Sequence, residues 1–343
     1  MSAKHRSRRR ELVESIAQGA VLLSDEGQLL AINDAARELL GIPVDARARS
    51  AADVLTHPEL AVAVDDVRDT GEPMTLEIDH AEARLRVNLS MLRDEVLVLI
   101  IDRTEEHRVE QLRRDFVVNA SHELKTPVTG IQTLTEALAI VVAQQQPERV
   151  PELVARLGDE AARLAELVHD LLDLRRLEDR GPRDLDRVDL AELVRRVVAA
   201  QVNRADELDI ELSVQAPVEV QFAGARGDLE VVVRNLVRNA ITYNQPGGTV
   251  DIALRIVHHE EGEPGVELVV TDTGIGIAPA ELPRIFERFY RIDPARSRHT
   301  GGTGLGLSIV RHAVAYLGGS IDVASRLGEG TSFTVRLPAE RSD

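Results

Sequence analysis

Ser121-His122-Glu123-Leu124-Lys125-Thr126-Pro127 sets a nucleophile, a base and a hydroxyl on one short helical segment. His122 and Thr126 are four residues apart and share a face, and Glu123 sits directly beside the imidazole. Pro127 has no backbone N–H, so its bond to the Glu123 carbonyl is missing and a kink is expected where the side chains are presented. A His-Glu pair on a helix is by itself usually a solvated surface pair. Downstream pieces overturn that reading here. They are Asn235-Leu236-Val237-Arg238-Asn239, Asp272-Thr273-Gly274-Ile275-Gly276, Phe286 to Arg291, Gly301-Gly302-Thr303-Gly304-Leu305-Gly306 and Gly328-Glu329-Gly330-Thr331.

In this order, with the His122 segment, the pieces resemble the sensor histidine kinases of two-component signalling. The similarity is to the class whose phospho-acceptor motif reads HELKTP, of the phosphate-regulon or cell-wall sensor kind, and covers roughly residues 105 to 338. It implies ATP with Mg²⁺, autophosphorylation of His122 with Glu123 as general base, and transfer to an aspartate on a response regulator receiver domain. It further implies a phosphatase reaction in which Thr126 holds a water. For residues 186–343 it implies the Bergerat ATP-binding fold, with Asp272 accepting the adenine amino group and Tyr243 flanking the base.

The residues themselves carry part of this site. A carboxylate that ends a buried strand, as Asp272 does, must find a donor or solvent. Gly274 and Gly276 give the backbone room to approach a ligand. Asn235 and Asn239 are four apart on a helix, so both amide oxygens are expected to face one point as hard ligands for Mg²⁺. Gly302, Gly304 and Gly306 precede the helix expected at Leu307 to Leu317, whose free N–H groups and dipole suit a triphosphate. Thr331, with Gly328 and Gly330, would complete the adenine pocket. One departure stands out: the resembled family has a basic residue just before the aromatic at Tyr243, and this chain has Thr242. Arg238, Arg288, Arg291, Arg296 or Arg298 could supply the charge, and Arg291 is favoured because it matches the family's lid arginine. Asp293 to Thr300 reads as that lid.

Four segments must position these groups, in a multidomain α+β chain. Residues 1–10 read as a solvated basic tail and not as a membrane contact. Residues 11–102 read as a small α/β unit, with apolar runs at Val21 to Leu23 and Leu29 to Ile32 around the turn Asp25-Glu26-Gly27. A helix capped by Asn33 or Asp34 and alternating residues from Leu85 to Met91 follow. This order resembles a PAS sensor domain. Within it, His57 and His80 are weak candidates for haem ligation.

Residues 103–181 carry two helical apolar stripes, broken between Gln144 and Pro151, and read as a helical hairpin. Each fully buried Leu or Val contributes about 1.5–3 kcal/mol, so two hairpins pairing into an antiparallel four-helix bundle is the economical arrangement, and a homodimer follows. Gly181-Pro182 marks its end. In 186–343, helices at Leu190 to Ala205 and Leu229 to Tyr243 stand segregated beside runs of strands at 249–257, 266–272, 320–324 and 331–337, which indicates an α+β sandwich and not a doubly wound sheet.

Composition excludes several functions. A net charge of -17 and very few aromatic residues oppose nucleic-acid binding. With no cysteine, disulfides and thiol chemistry are absent. The only lysines are Lys4 and Lys125, and neither follows glycine, which excludes a Walker A loop. Purely apolar runs are of the size of Val96 to Ile101, against roughly 20 residues for a bilayer-spanning helix, so a cytoplasmic location is expected. Two rival readings are a nucleotide-binding scaffold without kinase activity, suggested only by Thr242, and a chaperone- or gyrase-type ATPase. The second would lack the His-bearing hairpin.

Overall fold

The computed structural model describes residues 3–42, 51–178, 186–258, 264–292 and 302–338. The chain forms two compact units, Met1–Val117 and Val118–Asp343. The expected lid at Asp293 to Thr300, with Arg296 and Arg298, lies outside the described residues, as do Gly301 and Gly181-Pro182.

In the first unit, β1 (Gly19–Ser24), β2 (Leu29–Ile32), β3 (Met74–His80), β4 (Ala83–Leu92) and β5 (Glu95–Asp102) form an antiparallel sheet in the order β2-β1-β5-β4-β3. Alternation decides which face is buried: Leu85, Val87 and Leu89 of β4 and Val96, Val98 and Ile100 of β5 point to one core. Helix α4 (Pro58–Thr70) closes that core with Leu60, Val64 and Val67. Strand β1 is buried on both faces, because Val13 of α1 (Ala3–Glu14) covers Ala20, Leu22 and Ala31 on the other side. Part of the segment expected to be a basic tail is therefore helical backbone.

Asn33 caps α2 (Asp34–Leu39): its Oδ1 accepts from Ala36 N at 2.9 Å and from Ala20 N at 2.8 Å. Its Nδ2 donates to the Ile16 and Gln18 carbonyls, so one buried amide ties the helix start to the sheet. Short helix α3 spans Ala51–Val54. His80 Nε2 lies 3.3 Å from the Leu40 carbonyl, and His57 precedes α4. No group of three or more metal-ligating side chains occurs among the described residues.

The helical hairpin consists of α5 (Thr104–Ala143) and α6 (Val150–Glu178), joined through a 3-10 turn at Pro147–Arg149. Asp102 caps the start of α5, and hydrogen bonds from the Thr104 hydroxyl and N–H hold its carboxyl below the usual range. Pro127 lies inside α5, which continues beyond it. Val117, Val128 and Ile140 of α5 and Val154 and Leu172 of α6 remain exposed. By length and composition alone α5 is apolar enough to cross a membrane, which the short apolar runs did not suggest. It also carries His122, Glu123 and Lys125 in mid-length.

The remaining layer is a sheet in the order β11-β12-β10-β9-β7, built from β7 (Glu211–Gln215), β9 (Thr249–His258), β10 (Pro264–Asp272), β11 (Ser320–Arg326) and β12 (Gly330–Pro338). All neighbours are antiparallel except β7 and β9. Strand β7 and the small pair β6 (Asp186–Asp189) and β8 (Gln221–Gly224) are additions to the expected strands. Helices α7 (Leu190–Ala199), α9 (Arg226–Thr242) and α10 (Gly306–Tyr316) bury Leu193, Leu229, Leu236 and Ile309. The single helix expected from Leu190 to Ala205 is instead α7 followed by a separate α8 (Val202–Glu207). Helix α6 packs against α10, so α6, α5 from Val118 onward and the sheet layer belong to one compact unit.

Candidate nucleotide and phospho-acceptor site

Strand β10 ends at Asp272, whose register partner on β12 is Thr331. Asp272 Oδ1 accepts from Gly274 N at 2.9 Å and Thr331 N at 3.2 Å, and neither bond uses Oδ2. Burial pushes the carboxyl's pKa up, although the two backbone donors pull the other way. The residue lines a cleft of about 320 Å³ walled by Tyr243, Ile275, Ile285, Leu307 and Phe333. An apolar slot with one deep acceptor suits a flat base bearing an amino group. Thr331, Arg291 and Gly276 line the same cleft, and burial also raises the pKa of Tyr243.

The glycines hold the walls together. A Cβ on Gly274 would stand 2.3 Å from the Tyr243 carbonyl oxygen. Gly276 has φ +65° and its Cβ would stand 1.9 Å from the Arg326 carbonyl oxygen. Gly276→Ala is therefore expected to cost about 2–4 kcal/mol, combining left-handed strain with overpacking, and to lower the thermal unfolding midpoint. An unchanged melting curve would show that the turn relaxes freely. Ser325 was not singled out from the sequence, yet its Oγ accepts from Ile277 N at 2.8 Å and bonds Thr331 Oγ1 at 2.9 Å. A lone serine on a strand carries no signal for this role.

A smaller pocket of about 70 Å³ shares Asn239, Thr242 and Tyr243 with the cleft and is lined by Gly302, Gly304 and Gly306. Here the pairing expected of Asn235 and Asn239 fails. Asn235 is fully buried, its Nδ2 donates to the Val231 carbonyl at 2.9 Å, and its Oδ1 accepts from Arg238 Nη2 at 2.6 Å. Four residues of helix rotate the direction by about 40°, enough to send one amide into the core and leave the other at the pocket. Of the two asparagines, Asn239 lines both cavities and Asn235 lines neither.

Arg238 is also not available as expected. It pairs with Glu166 and, at 3.4 Å, with Asp170, both on α6. Burial opposes its charge, but the attraction of Asp170 and Glu166 outweighs this and raises its pKa. Asp170 is 1% exposed and its Oδ2 also accepts from Thr303 Oγ1 in the glycine segment at 2.6 Å. Arg234 pairs with Asp173 one turn further along α6. These acids thus clasp α9 and the glycine segment, which helical periodicity could not foretell.

On α5, His122 is exposed and Thr126 Oγ1 donates to the His122 carbonyl at 3.3 Å. The Glu123 carboxylate is 3.6 Å from Arg291 and 3.9 Å from Arg163. Because Arg291 lines the cleft, the segment carrying His122 lies beside the cleft wall.

Residues 112–180 match the His Kinase A phospho-acceptor domain, and residues 224–341 match the ATPase family of histidine kinases, DNA gyrase B and HSP90. The chain is 42% identical over 244 residues to the sensor-like histidine kinase SenX3 of Mycolicibacterium smegmatis, covering 71% of this chain and 62% of that protein. It is 31% identical over 342 residues to the sensor protein SrrB of Staphylococcus aureus, covering 96% of this chain and 55% of that protein. The matched length is thus about three-fifths or less of these relatives. A solved structure of the histidine kinase ThkA in complex with the response regulator protein TrrA superposes with TM-score 0.51 at 20% identity, covering 96% of this chain and 98% of that one. At that identity the likeness is one of fold. The chain therefore carries the phospho-acceptor and ATPase domain pair of the sensor histidine kinases.

Proposed function

We propose that the chain is an ATP-dependent protein histidine kinase that phosphorylates His122 and passes the phosphoryl group to an aspartate of a response regulator receiver domain. The observation that carries this reading is the Glu123–Arg291 ion pair, which links the His122 segment to the wall of the cleft holding Asp272. The imidazole attacks the γ-phosphorus in line: an N–P bond forms, the P–O bond to ADP breaks, and the ring proton passes to Glu123. Positioning supplies most of the acceleration.

The Asn239 amide, at the meeting of cleft and pocket, fits an oxygen ligand of Mg²⁺, with phosphate and water completing the shell. When bound, Mg²⁺ would neutralise charge on the phosphates. Asp272 reads the adenine, Tyr243 and Thr331 flank it, and Gly302, Gly304 and Gly306 offer backbone donors to the phosphates. Asn235 instead braces Arg238.

The strand order of the first unit and its α1-covered second face support a PAS-like sensor module over 11–102. The exposed apolar residues of α5 and α6 support a homodimer closing a four-helix bundle over 103–181, with 186–343 as the catalytic domain. In this reading α5 is a bundle helix and not a membrane span, and the domains work in the cytoplasm where ATP is supplied. The phospho-acceptor match over 112–180 sets it apart from a chaperone- or gyrase-type ATPase.

Incubation of the purified chain with labelled ATP tests the reading: an acid-labile, alkali-stable label is expected, and ATP hydrolysis without self-labelling would overturn it. Thr126→Ala should leave autophosphorylation within about two-fold yet slow regulator dephosphorylation by about 10-fold or more, on the scale of one positioned water. The Thr126 hydroxyl contacts the His122 carbonyl and not the ring, so imidazole activation does not depend on it. Equal loss of both activities would indicate helix damage instead.

A further inference from the structure

We propose that Arg204, on α8, is the positioning cation for the nucleotide's phosphates; this rests on the ATP reading above. The small pocket beside the adenine cleft is lined by two arginines, Arg204 and Arg238. Arg238 is already committed to Glu166, Asp170 and Asn235, so its charge is balanced within the protein. Arg204 differs. Its Nη2 donates to Thr242 Oγ1 at 3.4 Å, and no carboxylate pairs with it among the described residues. A cation anchored by a neutral hydroxyl keeps its full charge for a ligand, and a guanidinium has further N–H donors for phosphate oxygens.

The fold explains why this residue reaches the site. The break between α7 and α8 gives residues 202–207 a direction of their own. Ala205, 1% exposed, seats α8 against the domain while the neighbouring Arg204 side chain stays exposed at the pocket. Thr242 is the last residue of α9 and lies one turn beyond Asn239, so its hydroxyl holds the guanidinium beside the amide that meets the same pocket. Arg204 is 38 residues away in sequence, and nothing in its local pattern marks it.

The test is a titration of the full chain with ATP, ADP and adenosine, each read by calorimetry or by displacement of a fluorescent nucleotide. Arg204→Ala is expected to weaken ATP and ADP about 10-fold, the scale of one charge-assisted contact, while adenosine affinity and the melting temperature stay unchanged. Arg204→Lys should recover part of the loss. Thr242→Lys in the Arg204→Ala background should recover more, because it puts an ammonium where the guanidinium is now anchored. Unchanged ATP affinity in Arg204→Ala would overturn the proposal, and so would an equal loss for adenosine, which would mark a structural residue. If the wild-type chain binds none of the three ligands, the ATP reading itself falls.

Discussion

His122→Gln is expected to abolish the acid-labile phosphoryl label, a loss of at least about 10³-fold, because a removed nucleophile cannot be replaced by positioning alone. Glutamine keeps a polar side chain of similar reach on an exposed helical face, so folding and ATP affinity should be unchanged. The informative control is His169, whose ring has an acid of its own one turn along the helix, Asp173 at 3.8 Å. That acid is claimed by Arg234, whereas Glu123 pairs with an arginine of the cleft wall. His169→Gln should therefore label normally. Phosphoamino-acid chemistry and mass spectrometry on the two variants decide the matter: undiminished labelling of His122→Gln would remove His122 as the acceptor.

Asp272→Asn is expected to weaken ATP binding about 100-fold, since a charge-assisted hydrogen bond contributes about 1.5–3 kcal/mol and an unmatched donor adds to the loss. The direction follows from the two backbone N–H groups on Oδ1. They require an oxygen at that position, so an asparagine must turn its NH₂ toward the cleft, where the carboxylate had offered an acceptor. Stability should respond in the opposite sense. Burial raises the pKa of Asp272 above the ordinary value near 3.8, so ionisation costs the folded state stability at pH above that raised value. That cost is relieved as the pH falls through it. At neutral pH the unliganded variant should accordingly melt no lower than wild type. For the same reason wild-type ATP affinity should decline on acidification at a higher pH than an exposed aspartate would set. Calorimetry with parallel thermal melts tests this: unchanged affinity would reduce Asp272 to a turn residue, and a large drop in melting temperature would make the binding loss a folding effect.

Both predictions meet at the α6 acids. Glu166, Asp170 and Asp173 hold Arg238, Thr303 and Arg234, so α6 grips the helix and glycine segment that border the small pocket. Asp170 Oδ1 is buried without a hydrogen-bond partner among the described residues, although Oδ2 accepts from Thr303. A buried carboxylate left half satisfied is an expensive arrangement.

The amino-acid sequence by itself determined what depends on residue type and short range. The placement of His122, Glu123 and Thr126 on one helix was legible there, as was Asp272 at a strand end, because period-two and period-3.6 patterns and glycine spacing are local properties. The β10 and β12 strands followed for the same reason, and their pairing sets Asp272 beside Thr331 in the cleft. The tertiary structure decided what depends on which face of a helix meets which neighbour. Periodicity put Asn235 and Asn239 on similar faces, but packing of α9 beside α10 buried the first and left the second at the pocket. Arg238 looked like a free cation until α6 supplied its carboxylates, and Arg204 had no local mark at all. Charges and hydroxyls separated by 38 to 133 residues meet only when the chain has folded, so their partners are set by long-range packing and not by any short pattern.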